Sequence, residues 1–267
     1  MPLRTKTFVG LAIAAWLAAV VLAVLAAPIL KPFGSALAAA ALGAGGLYAL
    51  FVYYPKFDPT GSTAWQGGRQ DRRIAITFDD GPGPDTAAIL DVLKTKGVKA
   101  TFFFLGANAA RLPDPVRRAR DEGHAVGNHG FSHAKMHRMT GGVVEREVLS
   151  AEDAIGEIST AAGRKILRAP HGFKSLTLVC TLRRLGYTLV AWTAGVWDSD
   201  RPGAAVIVKR VKAAVRPGCI LLLHDGDGTR PDADRSQTAA ALKEIVDFCL
   251  SGGYKFATIP EIFDGRP

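Results

Sequence analysis

Asp79 and Asp80 stand side by side where the apolar run Ile76-Thr77-Phe78 breaks into Gly81-Pro82. Neighbours on an extended strand face opposite ways, so such a pair can divide its labour, one carboxylate holding a metal and the other handling a proton. His129 and His133 are four residues apart. On a helical turn that spacing brings both imidazoles to one face. Two imidazoles and one carboxylate make a three-ligand set for zinc or a similar divalent ion, with a fourth position open to water. Water held there needs a base, and a carboxylate beside the ligand can serve. His224 ends the apolar run Ile220–Leu223 and can give a proton to a leaving amine. Arg168 keeps its charge, so it can orient a carboxylate and lower its pKa; Asp198 can orient and charge-balance His224. A structural ion pair is the plainer alternative for Arg168 and Asp198. His124 and His137 flank the pair and are expected to be structural or supporting groups. Asp225 and Asp227 are expected to shape the Gly-rich loop Asp225–Gly228.

Strand and helix patterns alternate in the part of the chain that positions these groups. Apolar strands are predicted at 73–79, 99–105, 124–128, 166–169, 187–192, 219–223 and 255–259. Helices are predicted at 85–96, 113–122, 142–162, 175–185, 203–215 and 236–250, with Gly97, Gly123, Gly163 and Gly186 as stops. The alternation calls for an α/β fold with a parallel sheet and crossover helices, arranged as a distorted, incomplete (β/α) barrel; a doubly wound open sheet is the competing arrangement. The polar clusters fall at strand C-termini, the edge where parallel-sheet proteins build their sites.

All 24 acidic residues of the 267 lie beyond residue 55, whereas residues 7–30 and 33–54 are uncharged. Each uncharged run is close to the ~20 residues a bilayer-spanning helix needs, so residues 1–54 are expected to be a membrane anchor of two transmembrane helices. The second run is the weaker, being rich in Ala and in Gly43, Gly45 and Gly46, while Tyr48, Tyr53 and Tyr54 suit an interfacial belt. A signal peptide is the alternative for the first, although its apolar run exceeds the roughly 7–15 residues of a signal core. Residues 55–71 read as a linker and 72–267 as the catalytic domain. Arg4 and Lys6 precede the first run, and Lys56, Arg69, Arg72 and Arg73 follow the second. That bias predicts a multi-pass inner-membrane protein with its domain on the cytoplasmic face; a domain outside follows if only one segment spans. Cys180, Cys219 and Cys249 form no disulfide or zinc framework. The net charge of +9 is not gathered into a basic stripe interleaved with aromatics, which argues against a nucleic-acid partner.

Taken together, the motifs resemble the polysaccharide deacetylases, the NodB-homology or carbohydrate esterase family 4 group. Thr77–Pro82 is similar to the family's first motif, His129-Gly130-Phe131-Ser132-His133 to its paired-His motif, and Arg168-Ala169-Pro170-His171-Gly172 to its third. Trp192 to Asp198 resembles the fourth and Leu222-Leu223-His224-Asp225 the fifth. The resemblance implies a distorted (β/α) barrel and a divalent metal, usually zinc, with removal of N-acetyl, sometimes O-acetyl, groups from amino sugars. By position it makes Asp79 the base, Asp80, His129 and His133 the ligands, and Arg168 the residue that positions the base. It makes His224 the acid, Asp198 its tuning partner, and the backbone N–H of His171 the oxyanion donor. Gly130 stands in place of the usual hydroxyl residue, His171 in place of a common Tyr, Gly195 where an acid is frequent and Ser199 where Trp is. The expected function is metal-dependent deacetylation of a glycan or lipid-linked amino-sugar intermediate at the bilayer. Deacetylation of peptidoglycan or exopolysaccharide outside the cell is the first alternative. A non-catalytic glycan-binding protein on the same scaffold is the second, disfavoured because a pure binder needs no acid–base pair.

Overall fold

The computed structural model describes residues 16–21, 32–69 and 72–263. Within them one ten-stranded sheet forms the core. Its strands are β1 (Thr63–Ala64), β2 (Arg73–Asp79), β3 (Thr101–Phe104), β4 (Ala125–Asn128) and β5 (Thr160–Ala161). They continue with β6 (Arg164–Leu167), β7 (Tyr187–Val190), β8 (Ala194–Gly195), β9 (Ile220–His224) and β10 (Lys255–Phe256). The spatial order is β1-β7-β6-β4-β3-β2-β9-β8, with β10 beside β2 and β5 beside β6. Only the β5–β6 pair is antiparallel.

From β2 to β7 the long strands are added in one direction, which winds a barrel; a doubly wound sheet reverses at a switch point. The curl stops short of closure, because β1 and β8 at its two ends do not pair with each other. Hydrogen bonds nonetheless cross the seam. Thr193 donates its N–H to Ile220 O (2.9 Å) and its hydroxyl to Trp65 O (2.9 Å), and Gly67 N–H donates to Gly218 O (2.8 Å).

Crossover helices cover the outer face of such a curled sheet and side chains fill the inner one, so six of the seven residues of β2 are buried. The rings of Phe78, Phe102 and Phe104 stack in series at 5.0 and 5.4 Å between centroids. The covering helices are α2 (Thr86–Lys96), α3 (Gly106–Arg111), α4 (Pro113–Asp121), α5 (Gly141–Ile155), α6 (Leu176–Arg184), α7 (Ala204–Ala214) and α8 (Ser236–Ser251). They are preceded by α1 (Pro32–Tyr53) and followed by α9 (Ile259–Phe263). Helix α5 was expected to run to residue 162 but ends at Ile155, where Gly156 turns at φ 83° and the chain enters β5. The strand expected over 255–259 is only β10, because Ile259 already begins α9.

The paired membrane spans are not supported. Most of the first (residues 7–15 and 22–30) lies outside the described residues. Among those described, no helix is long and apolar enough to cross a membrane. The second run does form a helix, α1, and its last turn belongs to the domain: Phe51 and Val52 are buried in the core. Higher up, the Trp16 indole donates to Leu42 O (3.1 Å) and lies against Gly46. The segment 55–71, read as a linker, carries β1, which pairs with β7 through Thr63↔Leu189 and Ala64↔Val190.

Candidate active site

The C-terminal ends of β2, β4, β6 and β9 meet at one cavity of about 370 Å³, walled by Asp79, Asp80, His129, His133 and His224 among others. Strand β2 ends at Asp79, and Asp80 takes a left-handed turn (φ 70°). The two carboxylates therefore do not face opposite ways as strand neighbours would; both reach the same cavity. The helical turn expected for His129–His133 is also absent. The two rings converge through an irregular loop in which Gly130 (φ 78°) and His133 (φ 58°) are left-handed.

His129 Nε2 lies 3.2 Å and His133 Nε2 3.1 Å from Asp80 Oδ1. The three ligand atoms fall within 4.8 Å of one another. His129 Nδ1 is 2.8 Å from Arg168 O, an acceptor only, which puts the proton on Nδ1 and a lone pair on Nε2. Asp80 Oδ1 is buried and accepts no hydrogen bond. One carboxylate oxygen and two imidazole nitrogens thus converge on one gap, the situation that a divalent cation resolves, and the Asp–His–His donor set suits zinc chemistry. The pull for positive charge is visible in the titration. Burial works against ionisation of Asp80, but His129 and His133 outweigh it and hold the carboxyl well below the usual range. Burial likewise opposes charge on His129, and Asp79 and Asp80 reverse it, raising that pKa.

Two ion pairs stand beside the ligand trio. Arg168 is wholly buried and donates from Nη1 to Asp79 Oδ1 and to Thr77 Oγ1, both at 2.7 Å, and from Nη2 to Ala191 O at 3.0 Å. Its guanidinium lies 4.2 Å from the Phe103 ring centroid. On the other side, His224 Nδ1 is 2.9 Å from Asp198 Oδ1, and Asp198 Oδ2 accepts from the His224 N–H (2.8 Å) and the Thr238 hydroxyl (3.0 Å). Burial disfavours the imidazolium, yet the Asp198 carboxylate, helped by Asp80 and Asp79, lifts the His224 pKa to about 9. The ring is therefore charged at neutral pH and leaves Nε2 for the cavity. Asp79 and His224 are register partners across β2 and β9, so their side chains leave the same face of the sheet side by side.

Comparison with known proteins settles what this arrangement belongs to. Residues 66–190 match the family model described as polysaccharide deacetylase. A chitooligosaccharide deacetylase of Bradyrhizobium sp. (strain ANU 289) is 37% identical over 198 residues, covering 72% of this chain and 90% of its own. The chain belongs to the polysaccharide deacetylase family. A peptidoglycan-N-acetylglucosamine deacetylase of Bacillus cereus is 33% identical over 213 residues, or 78% of this chain and 95% of that one. The crystal structure of the Bc1960 peptidoglycan N-acetylglucosamine deacetylase superposes with a TM-score of 0.69 at 30% identity, over 76% of this chain and 92% of that one. The curled, mostly parallel sheet is thus the fold of this deacetylase family.

Several residues outside the carboxylate–histidine–arginine set organise the cavity. Glu147 on α5 accepts the N–H groups of Phe131 (3.1 Å) and Ser132 (3.0 Å) and the Ser132 hydroxyl (2.8 Å), which fixes the histidine loop. Asn128 Oδ1 accepts the Gly130 N–H at 2.7 Å, so this loop is held from both ends although Gly130 has no hydroxyl. Asn108 donates to Asp80 O at 2.7 Å and fixes the left-handed ligand. Asp225 is wholly buried, accepts from Thr86 (2.7 Å), and is pushed up to about 7 by burial; it pins the Gly81–Thr86 turn. Asp227 accepts from Thr229, Arg230 and Arg235 and shapes its loop as expected. That loop presses so near the ligands that a Cβ on Gly228 would fall 2.1 Å from the His133 ring. Buried Arg235 ties it to Ser199 O (3.0 Å). His124 lies away from the cavity, accepting the Ala100 N–H at 3.1 Å, and burial lowers its pKa to about 4. His137 packs between Tyr53 and Phe173. His171 and Gly195 both stand on the cavity wall.

Proposed function

We propose that the chain is a metal-dependent N-deacetylase of amino sugars within a glycan. The observation that carries this reading is the convergence of Asp80, His129 and His133 between a base held by Arg168 and an acid held by Asp198. A divalent cation on that trio, zinc in this reading, supplies Lewis-acid polarisation of the acyl carbonyl and acidifies water. Asp79, fixed by Arg168, takes the proton of the attacking water. The backbone N–H of His171 donates to the oxygen on which negative charge develops. His224, charged and oriented by Asp198, passes a proton from Nε2 to the departing amine. A pure glycan binder has no use for this base and acid on one sheet face.

The test is acetate release from N-acetylchitooligosaccharides together with metal content. Asp79→Ala is expected to lose turnover and keep its metal, and His129→Ala to lose the metal. If neither variant changes activity, the site assignment is wrong.

The same reading sets the enzyme at the inner membrane, its domain on the cytoplasmic face and a lipid-linked amino-sugar glycan as substrate. It is supported by the uncharged run 33–54, by the exposed Leu47, Tyr48, Leu50, Tyr53 and Tyr54, and by the flanking Lys and Arg residues. The Bacillus cereus relative, a peptidoglycan-N-acetylglucosamine deacetylase, favours a second reading, a wall polymer outside. A topology reporter fused after Pro267 separates them. Activity of a cytoplasm-only reporter supports the first, and activity of an export-only reporter supports the second.

A further inference from the structure

The turn that carries the His171 N–H is strained. His171 (φ 62°) and Gly172 (φ 71°) are consecutive left-handed residues, and His171 is not a glycine. Such a conformation is disfavoured for a residue with a Cβ and persists only where its surroundings dictate it. One support is Trp192, packed so closely that a Cβ on Gly172 would fall 2.3 Å from its ring. The other support comes from the N-terminal side of the chain. Lys174, 1% exposed, donates its N–H to Val52 O (3.1 Å) and its Nζ to Pro55 O (3.1 Å). The N–H thus caps Val52 in the last turn of α1, while the ammonium bonds Pro55 just beyond the helix end, where a cation is favoured, and lies 5.1 Å from the Phe51 ring centroid. Asp58 balances the charge, and its own carboxylate is held by Thr60 and Thr63. Next to Lys174, the Phe173 ring meets Tyr53 edge-on at 5.2 Å and stacks with His171 at 5.8 Å; His171 in turn meets the ligand His133 at 4.6 Å.

We propose that the last turn of α1, with Tyr53 and the buried Lys174, is a positioning brace that holds the Pro170–Phe173 turn, and so the His171 N–H, in its working place. The proposal rests on the oxyanion role given to that N–H above. The last turn of α1 then helps to place the oxyanion donor. A 1 Å misplacement of a reacting partner can cost on the order of 10²-fold, so loosening the turn lowers kcat while leaving the metal in place.

The experiment compares Tyr53→Ala, Tyr53→Phe, Lys174→Met and the control Leu47→Ala in the full chain. It reads kcat and KM on N-acetylchitooligosaccharides, bound zinc, and amide hydrogen exchange. Tyr53 is half exposed, so its variant keeps the fold even where Lys174→Met does not. Tyr53→Ala is expected to lower kcat about tenfold with KM within about twofold, full zinc, and faster exchange confined to residues 168–174. Tyr53→Phe restores kcat and exchange, and Leu47→Ala changes neither. An active wild type with unaltered kcat and exchange in Tyr53→Ala overturns the brace alone, as does a loss of kcat that tracks loss of zinc. An inactive wild type overturns the functional reading, and the catalytic role of the brace with it.

Discussion

Asp198→Asn removes the charge that keeps His224 protonated while preserving the shape of the side chain and an oxygen for Thr238. The carboxylate oxygen lies 2.9 Å from His224 Nδ1. The two delocalised charges are centred about 4 Å apart, and at an effective dielectric of about 20 such a pair is worth roughly 4 kcal/mol, or about three pH units. The His224 pKa, about 9 in the native protein, is therefore expected near 6 in the variant, by roughly that three-unit change. An acid must hold its proton, so activity falls as pH rises through its pKa, and the alkaline limb of kcat/KM moves down by about three units. At pH 8 the protonated fraction drops from about 0.9 to about 0.01, a loss of roughly 90-fold, whereas at pH 5 the loss through this group is under about twofold. A cation on Asp80 would lower the His224 pKa in both proteins alike and leave the displacement between them intact. Stability follows the same proton. The folded pKa of His224 stands above the unfolded value, so its contribution of about 3 kcal/mol is complete below pH ~6.5 and is lost as pH rises through ~9. The urea midpoints of the two proteins should accordingly differ more at pH 6 than at pH 10. The assay is a kcat/KM profile from pH 5 to 10 by acetate release. An alkaline limb that stays in place in a folded variant refutes the role of His224 as the acid.

Further outcomes follow from residues that support the site. Glu147→Ala frees the histidine loop and should weaken zinc affinity about 10–100-fold, measured by competition with a chromophoric chelator; unchanged affinity means the loop needs no such support. Arg168→Met strands Asp79 in the interior and should cost about 3–5 kcal/mol in urea unfolding, with turnover lost in whatever remains folded. Phe102→Ala empties the middle of the ring stack and should cost about 3–5 kcal/mol without altering zinc stoichiometry; a drop under 1 kcal/mol, on the scale of ordinary surface changes, would count against the packing described.

The residues with chemistry of their own were legible because their types are costly to place idly. Asp79, Asp80, His129, His133, Arg168, Asp198 and His224 all reach one site. The way they get there was not legible. Spacing suggested a helical turn for the two histidines, yet the chain uses left-handed residues, which a four-residue interval cannot announce. Long strands such as β2 were visible as apolar runs, whereas β1, β5 and β8, two residues each, are too short for alternation to register. Glu147, Asn108 and Lys174 act through backbone groups of distant segments, and their contribution depends on the tertiary fold alone. The uncharged N-terminal runs read as two membrane spans, but most of the first lies outside the described residues, and among those described no helix is long and apolar enough to cross a membrane.

The pairing of Asp79 with His224 also sets a sequence of events. Every ligand of the proposed cation lies at or before residue 133, on strands that pair with near neighbours in the chain. Base and acid meet only once β9 docks on β2 across most of the domain, a long loop closure that topology makes slow. On the proposed roles, a chain emerging from the ribosome completes the half that would hold the cation well before the acid arrives. During refolding, zinc uptake should run ahead of regained turnover, and that interval would time the last strand's arrival.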